Sequence, residues 1–354
     1  MSRVRVAVLG ATGMIGQRFV QLLEGHPWFE MEGLYASERS EGKRLAEVNK
    51  VKDHIFKPET LQRRIEQIDI PKIAKNCRVA FSGLPSEVAG EVETKLAEAG
   101  VAVFSNASAH RMDADVPILV PEVNAEHLEI VKEQRTYPRG GFIVTNANCS
   151  TTGMVFPLRA LQDAFGVEQV VVSTYQAVSG AGYPGVPSLD ILSNVIPYIK
   201  NEEEKMEEET AKILGTYHLG QIHKAEIQVL ASCARVPVHD GHLEALTVKT
   251  RREANLEECM RVMRDFRGEP QRLDLPSAPK HPIIVREEPD RPQPLWDVNA
   301  GEPARAKGMA VTVGRVRKKD KYLKLFLLSH NTIRGGAGGS VINAELAYAQ
   351  GMLG

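Results

Sequence analysis

Cysteine is scarce in this chain. Only Cys77, Cys149, Cys233 and Cys259 occur among 354 residues, far apart, without a CxxC pair and far below the density of a disulfide-stapled scaffold. That excludes a small secreted disulfide fold and predicts a reducing, cytoplasmic setting in which a thiol packs or reacts. Long apolar runs are missing too, so no bilayer span is expected. The start, Met-Ser-Arg leading straight into VRVAVLG, lacks the apolar region and cleavage site of a secretory signal. Net charge is almost absent, with 44 Lys and Arg against 45 Asp and Glu giving -1. Bulk electrostatics therefore offer no reason to expect a nucleic-acid partner. There are no internal repeats, and the one biased stretch is Asn201 to Lys212, NEEEKMEEETAK.

What is present is a chain long enough for two domains of about 150–200 residues. Its 43% hydrophobic and 25% charged residues are ordinary for globular proteins. Arg3 to Leu9 reads as a buried parallel strand, followed by a glycine-rich turn and a helix from Gln17 to Glu24. Met31 to Ala36, Val79 to Ser82, Val101 to Ser105 and Phe142 to Thr145 are further strands. Glu87 to Ala99 has a helical stripe ending at Gly100. Such alternation predicts an α/β, doubly wound Rossmann-type sheet. After Cys149 the texture changes. Val167 to Ala177, Gln228 to Val238, Leu243 to Thr250, Met309 to Val316 and Tyr322 to Ser329 are β-rich, with helices near Thr152 to Phe165 and Leu256 to Phe266. Links this short cannot all be crossovers, so an α+β domain with a mixed or antiparallel sheet is expected. An Ala-rich helix, Ser340 to Met352, closes the chain.

Gly10, Gly13 and Gly16 form GxxGxxG at the end of the first strand, where an open α/β sheet binds its ligand. A plain tight turn would use the same glycines. Placement at the first strand favours a phosphate cradle, because the helix N-terminus offers free N–H groups and a favourable dipole. At the end of the second strand, Ser37, Arg39 and Ser40 suit a ribose 2′-phosphate, which points to NADP(H). Glu38 would favour NAD if it faced the ribose.

Cys149 stands in Thr145-Asn-Ala-Asn-Cys149-Ser-Thr-Thr-Gly153, where a strand ends and a helix begins. Such a site lowers a thiol's pKa and supplies backbone donors for an oxyanion. A buried structural cysteine is the alternative, but the Asn, Ser and Thr neighbours do not make an apolar niche. The other three cysteines read as packing residues. His242, following Arg235-Val-Pro-Val-His-Asp-Gly, is the candidate acid-base residue. His239 and His242 flank an Asp-Gly turn and find no third ligand at zinc-like spacing, so no metal site is expected.

These segments, with LPSEVA from Leu84, SNASAHR ending at Arg111, YQAVSGAG from Tyr175, IPYI with the following EEEK, and SHNTIRGGAGG, resemble aspartate-semialdehyde dehydrogenases, the archaeal and fungal branch above all. The resemblance runs the length of the chain in order. It implies an NADP-binding domain over 1–148 completed by 332–354, and a catalytic and dimerisation domain over 149–331. It further implies a homodimer or homotetramer acting on a small-molecule substrate. Cys149 would be the nucleophile, Gln176 would orient the acyl group, and His242 would serve as acid and base. Arg235 would grip the α-carboxylate, with Asn148 beside the substrate. Arg111 and Lys212 would serve the acyl phosphate, and Glu209 the α-ammonium. Glu202 and Lys205 offer the same spacing, and the second pair is preferred because Ile-Leu follows Lys212. For the cofactor the resemblance implies Gly10, Thr12, Gly13, Met14 and Ile15, then Gly83 and Leu84, and from the second domain Ser179, Gly180 and Asn331. The expected reaction is NADPH-dependent reduction of L-aspartyl phosphate through a Cys149 thioester. Malonyl-CoA reductase is the nearest alternative enzyme, and a non-catalytic nucleotide sensor the alternative of another class.

Overall fold

Val4–Leu9 (β1) buries its last four residues completely, as a central parallel strand covered on both faces must. The computed structural model describes residues 3–353; Met1, Ser2 and Gly354, at the outer limits of the expected domains, lie outside them. Phe29–Ala36 (β2), Ile65–Gln67 (β3), Val79–Ser82 (β4), Ala102–Ser105 (β5) and Phe142–Thr145 (β6) complete an all-parallel sheet ordered β3-β2-β1-β4-β5-β6. The chain moves outward from β1 in one direction and then in the other. A crevice therefore opens between the ends of β1 and β4, the switch point at which such sheets bind ligands. The helix after β1 runs Met14–Leu23, starting earlier than its apolar pattern suggests, and β3 is an edge strand of three residues that the sequence pattern does not reveal.

Val167–Gln176 (β7), the hairpin Thr216–His218 (β8) and Gln221–His223 (β9), Gln228–Arg235 (β10), His242–Thr250 (β11), Ile283–Val285 (β12), Val311–Lys319 (β13) and Tyr322–Ser329 (β14) follow. Apart from the hairpin they form one mixed sheet, β10-β7-β11-β14-β13-β12. Its outer pairs β10–β7 and β12–β13 are parallel and its central pairs antiparallel. The mixed sheet expected from the short links is thus observed, with β12 as an additional edge. Alternate residues of β7 and β11 are buried, so one face is covered while the other is open.

The helix Cys149–Phe165 lies over the covered face and buries twelve of its residues. The closing helix, Gly338–Ala349, returns to the first sheet instead. Val341, Ile342 and Leu346 share a core with Val6, Phe29 and Phe81. His26 Nε2 meets Glu345 at 2.9 Å, and Arg78 Nε donates to the carbonyl of Leu353 at 3.2 Å. A buried ion pair between Arg334 and Glu122, with Nη1 2.9 Å from Oε1, fixes the turn that precedes this helix.

Candidate active site

The phosphate turn is built by close backbone approach. Gly10 has φ +71°, and a Cβ there would lie 2.6 Å from the carbonyl oxygen of Gly83, while one on Gly16 would meet Gly10 itself. These two glycines are demanded by the packing of turn, helix and β4. A Cβ on Gly13 would meet only the Gly10 carbonyl, at 3.3 Å, so that side of the turn is open. Gly13 caps the helix without a side-chain hydrogen bond, which leaves the N–H groups of Met14 and Ile15 directed outward as an anion seat. Lys50 donates to the carbonyl of Thr12 at 3.2 Å and stands over the Tyr183 ring at 4.0 Å. No short-range sequence signal marks this lysine, 38 residues from Thr12. Ser37, Glu38 and Arg39 are exposed, with Ser40 half-buried, at the end of β2. The arginine and hydroxyls can meet a 2′-phosphate, and Gly83 and Leu84 face the turn across the crevice.

Across this crevice lies a cleft of about 410 Å³ whose wall includes Met14, Ile15, Arg111, Asn148, Cys149, Gln176, Ser179, Gly180, Glu202, Lys205, Arg235 and Asn331. Cys149 in this wall is fixed by a capped helix start. Asn148 Oδ1 accepts from the N–H groups of Ser150 and Thr151 at 2.9 and 3.1 Å. Those two amides are therefore not oxyanion donors, which narrows the sequence expectation. The Cys149 N–H and the Asn148 Nδ2 group, neither of which finds an acceptor among the described residues, remain for that task.

Cys149 Sγ is 3.2 Å from His242 Nε2. On the other side of the ring, the backbone N–H of Ala177 donates to His242 Nδ1 at 3.1 Å. An N–H cannot bond to another N–H, so Nδ1 carries the lone pair and the neutral ring's proton sits on Nε2, aimed at sulfur. Burial, reinforced by Arg235, holds His242 well below the ordinary histidine range. Burial also pushes the Cys149 thiol up to about 12, with Glu202 adding to the rise and Arg235, Arg111 and the Ser150 amide opposing it. The expectation that the helix start lowers this thiol is thus overturned for the ligand-free site: desolvation outweighs the donors.

Arg235 and Gln176 are neighbours across β10 and β7. One guanidinium nitrogen of Arg235 donates to the carbonyl of Ala177 at 2.8 Å, leaving Nη2 and Nε for a ligand. The Gln176 amide donates to Glu202 Oε1 at 3.0 Å and to Thr174 Oγ1 at 3.3 Å. Its amide oxygen is left as an acceptor beside the Glu202 carboxylate. Asn331 donates to Ser179 at 2.8 Å and accepts from the Gly241 amide at 2.8 Å, joining the loop after β7 to the turn before His242. A Cβ on Gly180 would lie 2.8 Å from Arg235 Nη1 and 3.0 Å from His242 Cε1. A side chain at this point of the loop would force Arg235 and His242 to shift.

Glu209 and Lys212 do not face the cleft, contrary to the preference drawn from sequence. Glu209 is saturated by Arg111 Nη1 at 2.8 Å and the Asn148 amide at 2.6 Å. Lys212 donates to the carbonyls of Arg111, Asp113 and Val116 at 2.7–2.8 Å. Their neighbours almost two turns earlier, Glu202 and Lys205, line the cleft. Arg111 also lines it, and its buried Nε has no protein partner.

Among the described residues, one group has metal-like spacing: Asp53, Asp240 and His330. Arg18 reaches both carboxylates, 2.7 Å from Asp53 and 3.6 Å from Asp240, and this guanidinium opposes a cation there.

Known proteins resemble the chain along its whole length. Residues 5–131 match the semialdehyde dehydrogenase NAD binding domain and residues 158–334 the semialdehyde dehydrogenase dimerisation domain. An aspartate-semialdehyde dehydrogenase of Archaeoglobus fulgidus is 50% identical over 349 residues, covering 97% of this chain and 98% of that protein. One from Schizosaccharomyces pombe is 43% identical over the whole of both chains. The crystal structure of the Candida albicans enzyme with NADP superposes with a TM-score of 0.88 at 39% identity, covering 99% of this chain and 100% of that one. With a thiol and histidine paired beneath a dinucleotide turn, and relatives of this closeness along its full length, the chain belongs to the aspartate-semialdehyde dehydrogenase family.

Proposed function

We propose that the protein reduces L-aspartyl 4-phosphate to L-aspartate 4-semialdehyde and phosphate with NADPH, a step toward lysine, threonine and methionine. The observation that carries this is the Cys149–His242 pair at 3.2 Å in a cleft that also presents Arg235, Arg111 and Glu202. When bound, NADPH supplies the hydride. The open Gly13 turn with its free amides fits the pyrophosphate, and Arg39 with Ser37 and Ser40 fits a 2′-phosphate. Thr12, Gly83, Leu84, Ser179, Gly180 and Asn331 are assigned to the same binding surface.

Cys149 Sγ bonds to the acyl carbon as the carbon–oxygen bond to phosphate breaks, leaving a thioester. Hydride addition at that carbon gives a thiohemiacetal oxyanion, whose collapse breaks the carbon–sulfur bond and frees the aldehyde. The resting thiol is protonated; its proton ends on the departing phosphate, and sulfur leaves the thiohemiacetal as thiolate, which recovers a proton from solvent. His242 therefore need not shuttle a proton. Its Nε2–H steadies the thiolate, a narrower role than that of a two-way acid and base. The Cys149 N–H and the Asn148 amide group are placed to hold the oxyanion.

Arg235 is assigned to the α-carboxylate, through two parallel donors. Glu202, with the Gln176 amide oxygen beside it, replaces Glu209 as the acceptor for the α-ammonium. Arg111 is assigned to the phosphate, and Lys205 replaces Lys212 beside it. Malonyl-CoA would bring no ammonium to Glu202, which is 6% exposed, and leaving the charge of that carboxylate without a cation disfavours it. The intact thiol–histidine pair speaks against a non-catalytic sensor. The decisive assay is NADPH oxidation with aspartyl phosphate against malonyl-CoA: faster turnover of malonyl-CoA overturns the assignment, and Cys149→Ser should abolish either.

We further infer a homodimer, or a tetramer of two such dimers. The open face of the second sheet supports this, since Val171, Tyr175 and Leu230 remain 39–44% exposed on it, an apolar surface that association would cover. A division at 1–148 with 332–354 against 149–331 is supported by the core that the closing helix shares with the first sheet. A cytoplasmic setting is supported by the four unpaired cysteines.

A further inference from the structure

Arg18, on the helix Met14–Leu23, is a guanidinium only 1% exposed, and the reaction gives it no task. Its three nitrogens meet three different parts of the chain. Nη1 donates to Asp53 Oδ1 and Oδ2 at 2.7 and 2.9 Å and to Gln21 at 2.8 Å, all in the half that forms the first sheet. Nε donates to Thr332 Oγ1 at 3.2 Å, beyond β14, where the chain turns back toward that sheet. Nη2 faces Asp240 Oδ2 at 3.6 Å, in the turn between β10 and β11. Asp240 Oδ2 also meets the exposed His239 at 2.7 Å, while Oδ1 is buried without a partner. His330 lies against the same carboxylates, and burial holds it down to about 4. Arg18 is therefore the buried cation of this node.

Both ends of the joint lead into the cleft. Arg18 stands four residues after Met14, on the stripe of the helix that begins at the anion seat and about one turn, ~5.4 Å, along its axis. Asp240 is followed directly by Gly241 and His242. The amides of Val178 and Ser179 donate to the carbonyls of Val238 and His239 at 2.8 and 3.2 Å, and the Gly241 amide reaches Asn331. The turn thus also carries Ser179 and Asn331, which line the cleft. Among the described residues, Arg18–Asp240 is the one ion pair between this turn and the first-sheet half. We propose that Arg18 and Asp240 are a positioning pair for hydride transfer: one guanidinium sets the cofactor's seat against the turn that carries His242 and the cleft loop. This rests on the reading of the site as one in which a dinucleotide exchanges hydride with an acyl group on Cys149. Cys149 and His242 stand on the second sheet and the helix that covers it, so their contact is set within that half. The distance from cofactor to acyl carbon spans both halves, and a misplacement of about 1 Å there can cost roughly 100-fold in rate. A lysine at position 18 would bring one point charge where three directions must be served.

The test uses the full-length enzyme with aspartate semialdehyde and NADP⁺ but no phosphate. The thiolate then adds to the aldehyde carbon, hydride leaves that carbon for NADP⁺, and each site stops at the thioester after one NADPH. Asp240→Asn is nearly isosteric and removes the charge. It is expected to slow this burst at least tenfold, with a primary isotope effect when the aldehyde hydrogen is deuterium. Burst amplitude, NADP⁺ affinity and alkylation of Cys149 by iodoacetamide should change less than threefold. A general loss of packing would lower all of these together. Arg18→Met should show the same split, and adding Asp240→Asn to it should leave the burst rate within about twofold of Arg18→Met alone. Should Arg18→Met fail to fold, Arg18→Lys takes its place with the same expectation. A burst in Asp240→Asn within threefold of wild type, parallel losses in NADP⁺ affinity and alkylation, or full additivity in the cycle would overturn the proposal. If the wild-type enzyme gives no burst, it is the assignment of the reaction that fails. If it does and Asp240→Asn keeps its rate, the positioning role alone fails.

Discussion

The state of the Cys149–His242 pair can be read from one reactivity profile. Burial places the thiol at about 12, so its thiolate fraction at pH 7 is on the order of 10⁻⁵ and grows tenfold with each pH unit. Alkylation of the ligand-free enzyme by iodoacetamide is therefore expected to rise with a slope near one in log rate against pH, from pH 6 to 9, with no plateau. Cys77, Cys233 and Cys259 are buried at 4% exposure or less, so the fast phase reports Cys149. The Nε2–H at 3.2 Å makes a charge-assisted bond to the thiolate worth about 1.5–3 kcal/mol, or roughly 10- to 150-fold in thiolate population. His242→Ala should lower the whole profile by that factor without changing its slope. His242→Gln, which offers an amide N–H but cannot carry a proton through the cycle, should recover most of the loss if its amide reaches the sulfur, in alkylation and in kcat/KM alike. A plateau near pH 6–7 would refute the reasoning, because it would signal a preformed thiolate–imidazolium pair. Such a pair needs a proton on Nδ1, where the Ala177 amide points. A loss of two to four orders of magnitude in His242→Gln turnover, as large as a general acid-base residue commands, would restore the shuttle.

Other consequences can be measured independently. Gly180→Ala should lower kcat/KM more than tenfold with little change in Tm, since its Cβ would press on Arg235 and His242 at 2.8–3.0 Å; unaltered kinetics would mean the loop lies further from the pair. Arg39→Ala with Ser40→Ala should weaken NADPH much more than NADH, because up to two charge-assisted contacts of about 1.5–3 kcal/mol each are removed; equal effects in a titration with both cofactors would place Arg39 away from the ribose. Glu244 is fully buried, neither of its oxygens has a protein partner, and burial together with Glu202 raises it well above the ordinary carboxyl range. Stability held by such a neutral acid is complete below its unfolded pKa of about 4.5 and is lost as pH rises toward the folded one. Glu244→Gln should thus gain in Tm over wild type between pH 5 and pH 8; an equal Tm difference at both would show that the carboxyl is not held neutral.

The chemistry near the backbone was legible in the sequence because it depends on local rules. A glycine turn after the first strand and a cysteine at a helix start are each specified within ten residues, and both stand where expected. The choice between Glu202 and Glu209 was not legible. Seven residues is almost two helical turns, so both glutamates, with Lys205, Met206 and Lys212, fall on one stripe of the same helix. Periodicity reports the buried face, whereas the role depends on position along the axis relative to Cys149. The pKa of Cys149 was misread for a related reason. The helix start is visible in sequence, but desolvation by the surrounding sheets and the charge of Glu202 are assembled from distant segments. The strands Ile65–Gln67 and Ile283–Val285 escaped notice because three residues at a sheet edge carry no period.

The return of the last helix to the first sheet has a consequence for how the chain acquires its structure. Phe29, Phe81 and His26 find their packing and ionic partners at residues 341–353, about 300 positions later. The dinucleotide-binding half therefore cannot close its core while the chain is still being synthesised, although its sheet is encoded first. The catalytic half, whose strands and nucleophile helix lie between residues 149 and 329, meets no such delay. Late contacts of this length are slow to form and leave apolar surface exposed in the interval. Deleting only the final helix should accordingly leave an aggregation-prone first sheet beside a folded second one, and the order of folding should run opposite to the order of translation.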